Sequence, residues 1–104
     1  MAKVDESFNN RSVTVPVGGM LELDLKENPT TGYRWTLTGP GTPVCELKTD
    51  DFVPAGRALG AGGTRSFTFA IRQAGEATLS LSNVRSFGGA DAAGGFTLHV
   101  RATN

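Results

Sequence analysis

The stretch that decides the architecture reads MLELDLKENPTTGYRWTL, from Met20 to Leu37. Its first part sets Leu21, Leu23 and Leu25 against Met20, Glu22 and Asp24, the two-residue period of a strand with one buried and one solvated face. Its last part repeats the pattern, with Tyr33, Trp35 and Leu37 set against Arg34 and Thr36. The residues between carry turn chemistry. Asn28 can hydrogen-bond its own backbone across a turn, Pro29 fixes φ, and Gly32 supplies the positive φ needed to re-enter a strand. The segment therefore reads as strand, stiff exposed loop, strand. Thr30 and Thr31 occupy the tip; each offers a methyl and a hydroxyl, both are restricted at χ1, and a partner would find little entropy left to remove. Such a loop suits insertion into a cleft.

Working outward, the same alternation recurs in Phe67, Phe69 and Ile71, in Leu79 and Leu81, and in Phe96, Leu98 and Val100. These residues are the expected core. Glycine and proline clusters punctuate the chain at Pro16 to Gly19, Gly39 to Gly41, Gly60 to Gly63, Ala74-Gly75 and Gly88 to Ala90, the spacing of antiparallel connections. About seven to eight short strands and no helical stripe give an all-β chain, an immunoglobulin-like antiparallel β-sandwich, with residues 1–104 as one domain. The single cysteine, Cys45, rules out an internal disulfide, so packing alone must hold the sheets together. Val4 to Phe8 and Ser12 to Val15 read as one strand interrupted at Asn9-Asn10. Val44 to Pro54 reads as a short strand followed by a loop, whose solvated part is Asp50-Asp51, and Gly88 to Gly95 as a hairpin connection.

Lys plus Arg number 10 and Asp plus Glu number 10, for a formal net charge of zero. The arginines are scattered from Arg11 to Arg101, which leaves no electrostatic footprint for nucleic acid or an anionic membrane. No segment approaches the length of a membrane-spanning helix, and acidic residues stand where a signal peptide would place its apolar stretch. A soluble chain is expected, cytoplasmic or exported with a leader already removed.

From the glycines before Leu21 to the last strand the sequence resembles the chagasin-type inhibitors of papain-like cysteine peptidases. Three elements carry the resemblance. Asn28-Pro29-Thr30-Thr31-Gly32-Tyr33 followed by Trp35 matches the family's first loop at every position; Gly60-Ala61-Gly62-Gly63 matches its Gly-x-Gly-Gly element; Arg85-Ser86-Phe87 stands where the family carries Arg-Pro followed by Trp or Phe. Ser86 replaces the proline and leaves more backbone freedom and one extra N–H donor, and Asn83 stands where a tyrosine is usual. The resemblance implies three loops at one end of an immunoglobulin-like sandwich that occlude a peptidase cleft reversibly and without a covalent bond. The implied partner is a papain or cathepsin L type peptidase. The first loop would be the wedge, with Thr31 near the catalytic cysteine. The glycines of the second would let backbone pair closely with the enzyme. Arg85 and Phe87 would grip the primed side.

The remaining chemistry-bearing residues have plainer readings. Trp35 is expected to fill the core from a central strand, and Tyr33 to support the loop above it. Cys45 and His99 could suggest a nucleophilic pair, but His99 shares the outward parity of Thr97 and Arg101 and no third residue orients it. An enzyme is not expected. Asp50, Asp51 and Asp91 lack metal-ligand spacing and read as solvated loop charge, so neither metal nor cofactor is expected. The rival to inhibition is an immunoglobulin-like adhesion or carbohydrate-binding module that uses the same end. A standalone inhibitor with polar outward faces is most simply a monomer.

Overall fold

The computed structural model describes residues 2–28, 32–56, 62–85 and 92–104. Eight strands are present among them: β1 (Ala2–Val4), β2 (Arg11–Pro16), β3 (Met20–Glu27), β4 (Tyr33–Pro40), β5 (Cys45–Pro54), β6 (Gly63–Ile71), β7 (Gly75–Arg85) and β8 (Ala92–Thr103). They form two four-stranded sheets, ordered β1-β3-β6-β5 and β2-β8-β7-β4. The result is the expected immunoglobulin-like β-sandwich. Pairing is antiparallel except for the two N-terminal strands, β1 beside β3 and β2 beside β8, which run parallel to their neighbours.

The period-two alternation translates directly into burial. Leu21, Leu23 and Leu25 of β3, Phe69 of β6, Leu79 of β7 and Leu98 of β8 are all at 0% exposure and meet between the sheets. Each such aliphatic or aromatic side chain removed from water stabilises the fold by about 1.5–3 kcal/mol, against the conformational entropy lost by the chain. No disulfide assists: Cys45 is a free thiol buried at the start of β5.

Four local readings are corrected. The N-terminal segment is not one interrupted strand, because β1 joins one sheet and β2 the other, and a 3₁₀ turn at Glu6–Phe8 carries the chain across. Asp5 caps that turn by accepting the Ser7 backbone N–H at 2.9 Å. Val44 to Pro54 is not half loop: β5 is continuous to Pro54, and a bulge between Leu47 and Thr49 shifts its parity. Its charges suit its position as a sheet edge, where they discourage pairing with another chain. Ala92 to Gly95 belong to β8, with Gly94 opposite Asn83 and Gly95 opposite Ser82, while residues 88–91 lie outside the described residues. Finally, Trp35 does not fill the centre of the core. β4 is the edge strand of its sheet, so the inward residues Trp35 and Leu37 are only half-buried and pack against the margin of the core.

Candidate functional site

Strand register brings the three motif-bearing connections to one end of the sandwich. In one sheet, Glu27 at the end of β3 and Pro54 at the end of β5 both pair with Gly63 at the start of β6. The connections 28–32 and 55–62 therefore start from the same end of this sheet. In the other sheet, Tyr33 at the start of β4 pairs with Arg85 at the end of β7, and Val84 pairs with Ala92 at the start of β8. Connection 86–91 thus leaves beside the far foot of connection 28–32. Two hydrogen bonds join the sheets at this end: the Trp35 backbone N–H donates to Glu27 Oε2 at 2.8 Å, and Trp35 Nε1 donates to the Lys26 carbonyl at 2.9 Å.

Of the expected site residues, Asn28, Gly32, Tyr33, Gly62 and Gly63 are described, as is the backbone of Arg85. Pro29, Thr30, Thr31, Gly60, Ala61, Ser86 and Phe87 lie outside the described residues. Gly32 has φ +82°, as re-entry from the turn requires. Asn28 and Tyr33 are half-buried. The two described glycines of the second element serve the chain's own packing. A Cβ on Gly63 would run into the Val53 carbonyl and lie 2.6 Å from Phe52 Cζ. Gly62 has φ +71°, and a Cβ there would sit 3.2 Å from the Glu27 carbonyl oxygen. The feet of the first and second connections are thus in close contact, around a recess of about 400 Å³ lined by Glu27, Asn28, Ala55 and Gly62.

Beneath this end lies a charged network that the sequence reading did not single out. Glu27 and Arg65 are buried, at 5% and 9% exposure. Arg65 Nε and Nη2 donate to the Glu27 carboxylate, the shortest contact being 2.8 Å, while Nη1 donates to Asp50 Oδ1 at 3.0 Å. The guanidinium also lies over the Phe52 ring, 5.6 Å from its centroid. The hydrogen bonds to Glu27, reinforced by its charge and that of Asp50, raise the Arg65 pKa above its ordinary value despite the desolvation that opposes them. Asp50 is consequently no solvated loop charge: it sits on β5, paired with Arg65 and 3.7 Å from Arg34. A signal for this network existed, since Glu27 continues the inward parity of Leu21, Leu23 and Leu25, and Arg65 that of Phe67 and Phe69. Opposite charges at inward positions of neighbouring strands have to find each other.

Asn83, also at inward parity, holds a buried side-chain oxygen with no hydrogen-bond partner. It faces Trp35 on β4 and Gly94 on β8. Cys45 and His99 are not brought together. Cys45 is buried between the sheets, where desolvation raises its pKa and disfavours the thiolate. His99 lies exposed on the outer face of the opposite sheet, its Nδ1 3.3 Å from Thr78 Oγ1. No nucleophile–base pair forms.

The comparisons with known proteins agree with this geometry. Residues 14–100 match the family model described as Chagasin family peptidase inhibitor I42. The chain is 34% identical over 92 residues to chagasin of Trypanosoma cruzi, covering 84% of each chain. In fold it is similar to a cysteine protease inhibitor of Entamoeba histolytica, with a TM-score of 0.81 at 20% identity over 98% of this chain and 94% of that one. It is also similar in fold to PbICP-C, solved in complex with falcipain-2, with a TM-score of 0.67 at 18% identity over 97% and 89% of the two chains. The sandwich, the one end at which the strands flanking the three motifs terminate, and these likenesses lead to one conclusion: the chain belongs to the chagasin family of peptidase inhibitors, and is not an enzyme.

Proposed function

We propose that this protein is a reversible, tight-binding inhibitor of papain-family cysteine peptidases, acting as a monomer that occludes the active-site cleft with three adjacent loops. The observation that carries the reading is the convergence at one end of the sandwich of the strand ends that flank connections 28–32, 55–62 and 86–91, where the three family motifs lie in the sequence. In this reading Asn28 to Tyr33 form the central wedge, with Thr31 near the catalytic cysteine. Gly60 to Gly63 lie along one wall of the cleft, and Arg85, Ser86 and Phe87 along the other. The partner is of the kind met by PbICP-C, which was solved with falcipain-2. Loops anchored at their feet on a packed sandwich would have less to order on binding, which is how protease inhibitors of standard interface size become tight.

No covalent step is required. The wedge offers hydroxyls, methyls and backbone, and inhibition follows from filling the cleft and excluding substrate. The test is protection: papain or a cathepsin L type enzyme, mixed with a slight excess of the protein, should resist an active-site-directed alkylating agent and regain full activity on dilution. Alkylation at the rate of the free enzyme while substrate hydrolysis is blocked would place the binding surface away from the cleft. Activity that never returns on dilution would contradict reversibility.

A further inference from the structure

We infer that Glu27 and Arg65 are positioning residues for peptidase binding: their buried ion pair, anchored by Asp50, sets the first loop in register with the second. The inference rests on the inhibitory reading above and assigns to these residues a role beyond it.

The network joins four strand ends. Glu27 is the last residue of β3, directly before Asn28; Trp35, whose N–H it accepts, lies two residues beyond Tyr33 on β4. Arg65 lies two residues beyond Gly63 on β6, and Asp50 and Phe52, which it touches, lie on β5 just before connection 55–62. Every foot of the first and second loops is therefore fixed to one guanidinium–carboxylate unit. Among the described residues the hydrogen bonds of this unit do not extend to β7 or β8, the strands that flank the third loop. Stability alone does not account for the arrangement, because a buried ion pair commonly contributes no more than apolar side chains of the same volume. What the pair provides and apolar packing does not is direction. A two-toothed Arg–carboxylate contact fixes distance and orientation together, and a loop pair held in one register has less freedom to lose on binding.

The experiment compares the wild-type protein with Glu27→Gln and with the double variant Glu27→Met/Arg65→Met. The second keeps an apolar interior and remains informative if the first folds poorly. Inhibition constants against papain are measured well below the melting temperature, with circular dichroism confirming the fold, in three backgrounds: wild type, Thr31→Ala and Phe87→Ala. The expected result is a loss of at least about tenfold in affinity, mainly as faster dissociation. That loss should shrink to under about threefold when Thr31 is already truncated, yet persist in full with Phe87→Ala, because only residues sharing a unit couple strongly. Unchanged affinity in a folded variant, or an equal penalty in both backgrounds, would overturn the inference. If wild-type protein fails to inhibit, the functional reading fails by itself, and amide exchange then tests the brace. The Trp35 N–H should exchange at least about tenfold faster in the double variant, and an unchanged rate would overturn it.

Discussion

Glu27 and Trp35 clasp the two feet of the first loop: the Glu27 carboxylate accepts the Trp35 backbone N–H at 2.8 Å, while the Trp35 indole donates to the carbonyl of Lys26 at 2.9 Å. The clasp crosses from one sheet to the other at the end where all three connections emerge. Whatever the loop touches, its base cannot widen without breaking one of these bonds. Trp35→Phe keeps a ring on the strand but removes the indole donor together with part of the ring that packs against the core margin. It is expected to lower unfolding free energy by about 1 kcal/mol, with the Lys26 carbonyl left to water or unpaired. Urea denaturation followed by far-ultraviolet circular dichroism measures it; an unchanged midpoint would mean that the indole bond contributes nothing.

Gly63 is placed where no side chain fits, between the Val53 carbonyl and the Phe52 ring. Gly63→Ala should therefore cost about 1–3 kcal/mol through forced displacement of β5 against β6. The loss should appear as a lower denaturation midpoint, with weaker inhibition because Phe52 also supports Arg65. Gly56→Ala, where an added Cβ meets nothing within 4 Å, is the matched control for stability and should leave the midpoint unchanged.

Asn83 carries the opposite prediction. Its buried oxygen lacks a hydrogen-bond partner, so replacing the amide by an apolar group removes a desolvation penalty instead of a bond. Asn83→Val suits a strand position and should raise stability by roughly 1 kcal/mol. A lower melting temperature for this variant would show that the amide is satisfied in solution.

Cys45 is buried and its pKa raised by desolvation, so a thiol reagent at neutral pH should fail to label the native protein and label it fully in denaturant. Cys45→Ser and His99→Gln should each leave inhibition unchanged, although the serine, buried at 0% exposure, lowers the midpoint. Loss of inhibition in a folded Cys45→Ser variant would contradict the assignment of this thiol to the core.

Acid should weaken two exposed carboxylate contacts. Ser7 holds the Asp5 carboxyl below its ordinary value through side-chain and backbone hydrogen bonds, and Lys48 does the same for Glu46. A depressed carboxyl stabilises the fold above the unfolded-state pKa and loses that contribution as pH falls through the folded value. Asp5→Ala should thus melt lower than wild type at neutral pH, with the gap closing as pH falls through the depressed folded-state value. A gap independent of pH would assign the effect to something other than the carboxylate.

How far this molecule was legible in its sequence depended on the range of the information needed. The core strands were legible because inward and outward residues alternate locally, and Phe67, Phe69, Leu79 and Leu98 all lie where parity puts them. Strand order is a long-range property. Trp35 has the inward parity expected of it but stands on an edge strand, which alternation cannot reveal. In β5 the bulge after Leu47 breaks the period and the charges of an edge mimic a loop. Glu27 and Arg65 went unremarked although their parity pointed inward: register sets Arg65 opposite Leu25 and Glu27 opposite Gly63, a diagonal placement in which the two side chains meet. At the site the balance reverses. The tips, among them Thr31, Ala61 and Phe87, lie outside the described residues, and their motifs are legible only as sequence.

The most direct measurement is the inhibition constant of the purified protein against active-site-titrated papain, set beside that of Thr31→Ala. Stoichiometric inhibition at nanomolar enzyme is expected, weakened roughly thirty- to a thousand-fold by the Thr31 truncation, the loss typical of a central anchor worth about 2–4 kcal/mol. No inhibition by micromolar protein with a β-rich circular dichroism spectrum, or equal potency of the two proteins, would contradict the three-loop wedge.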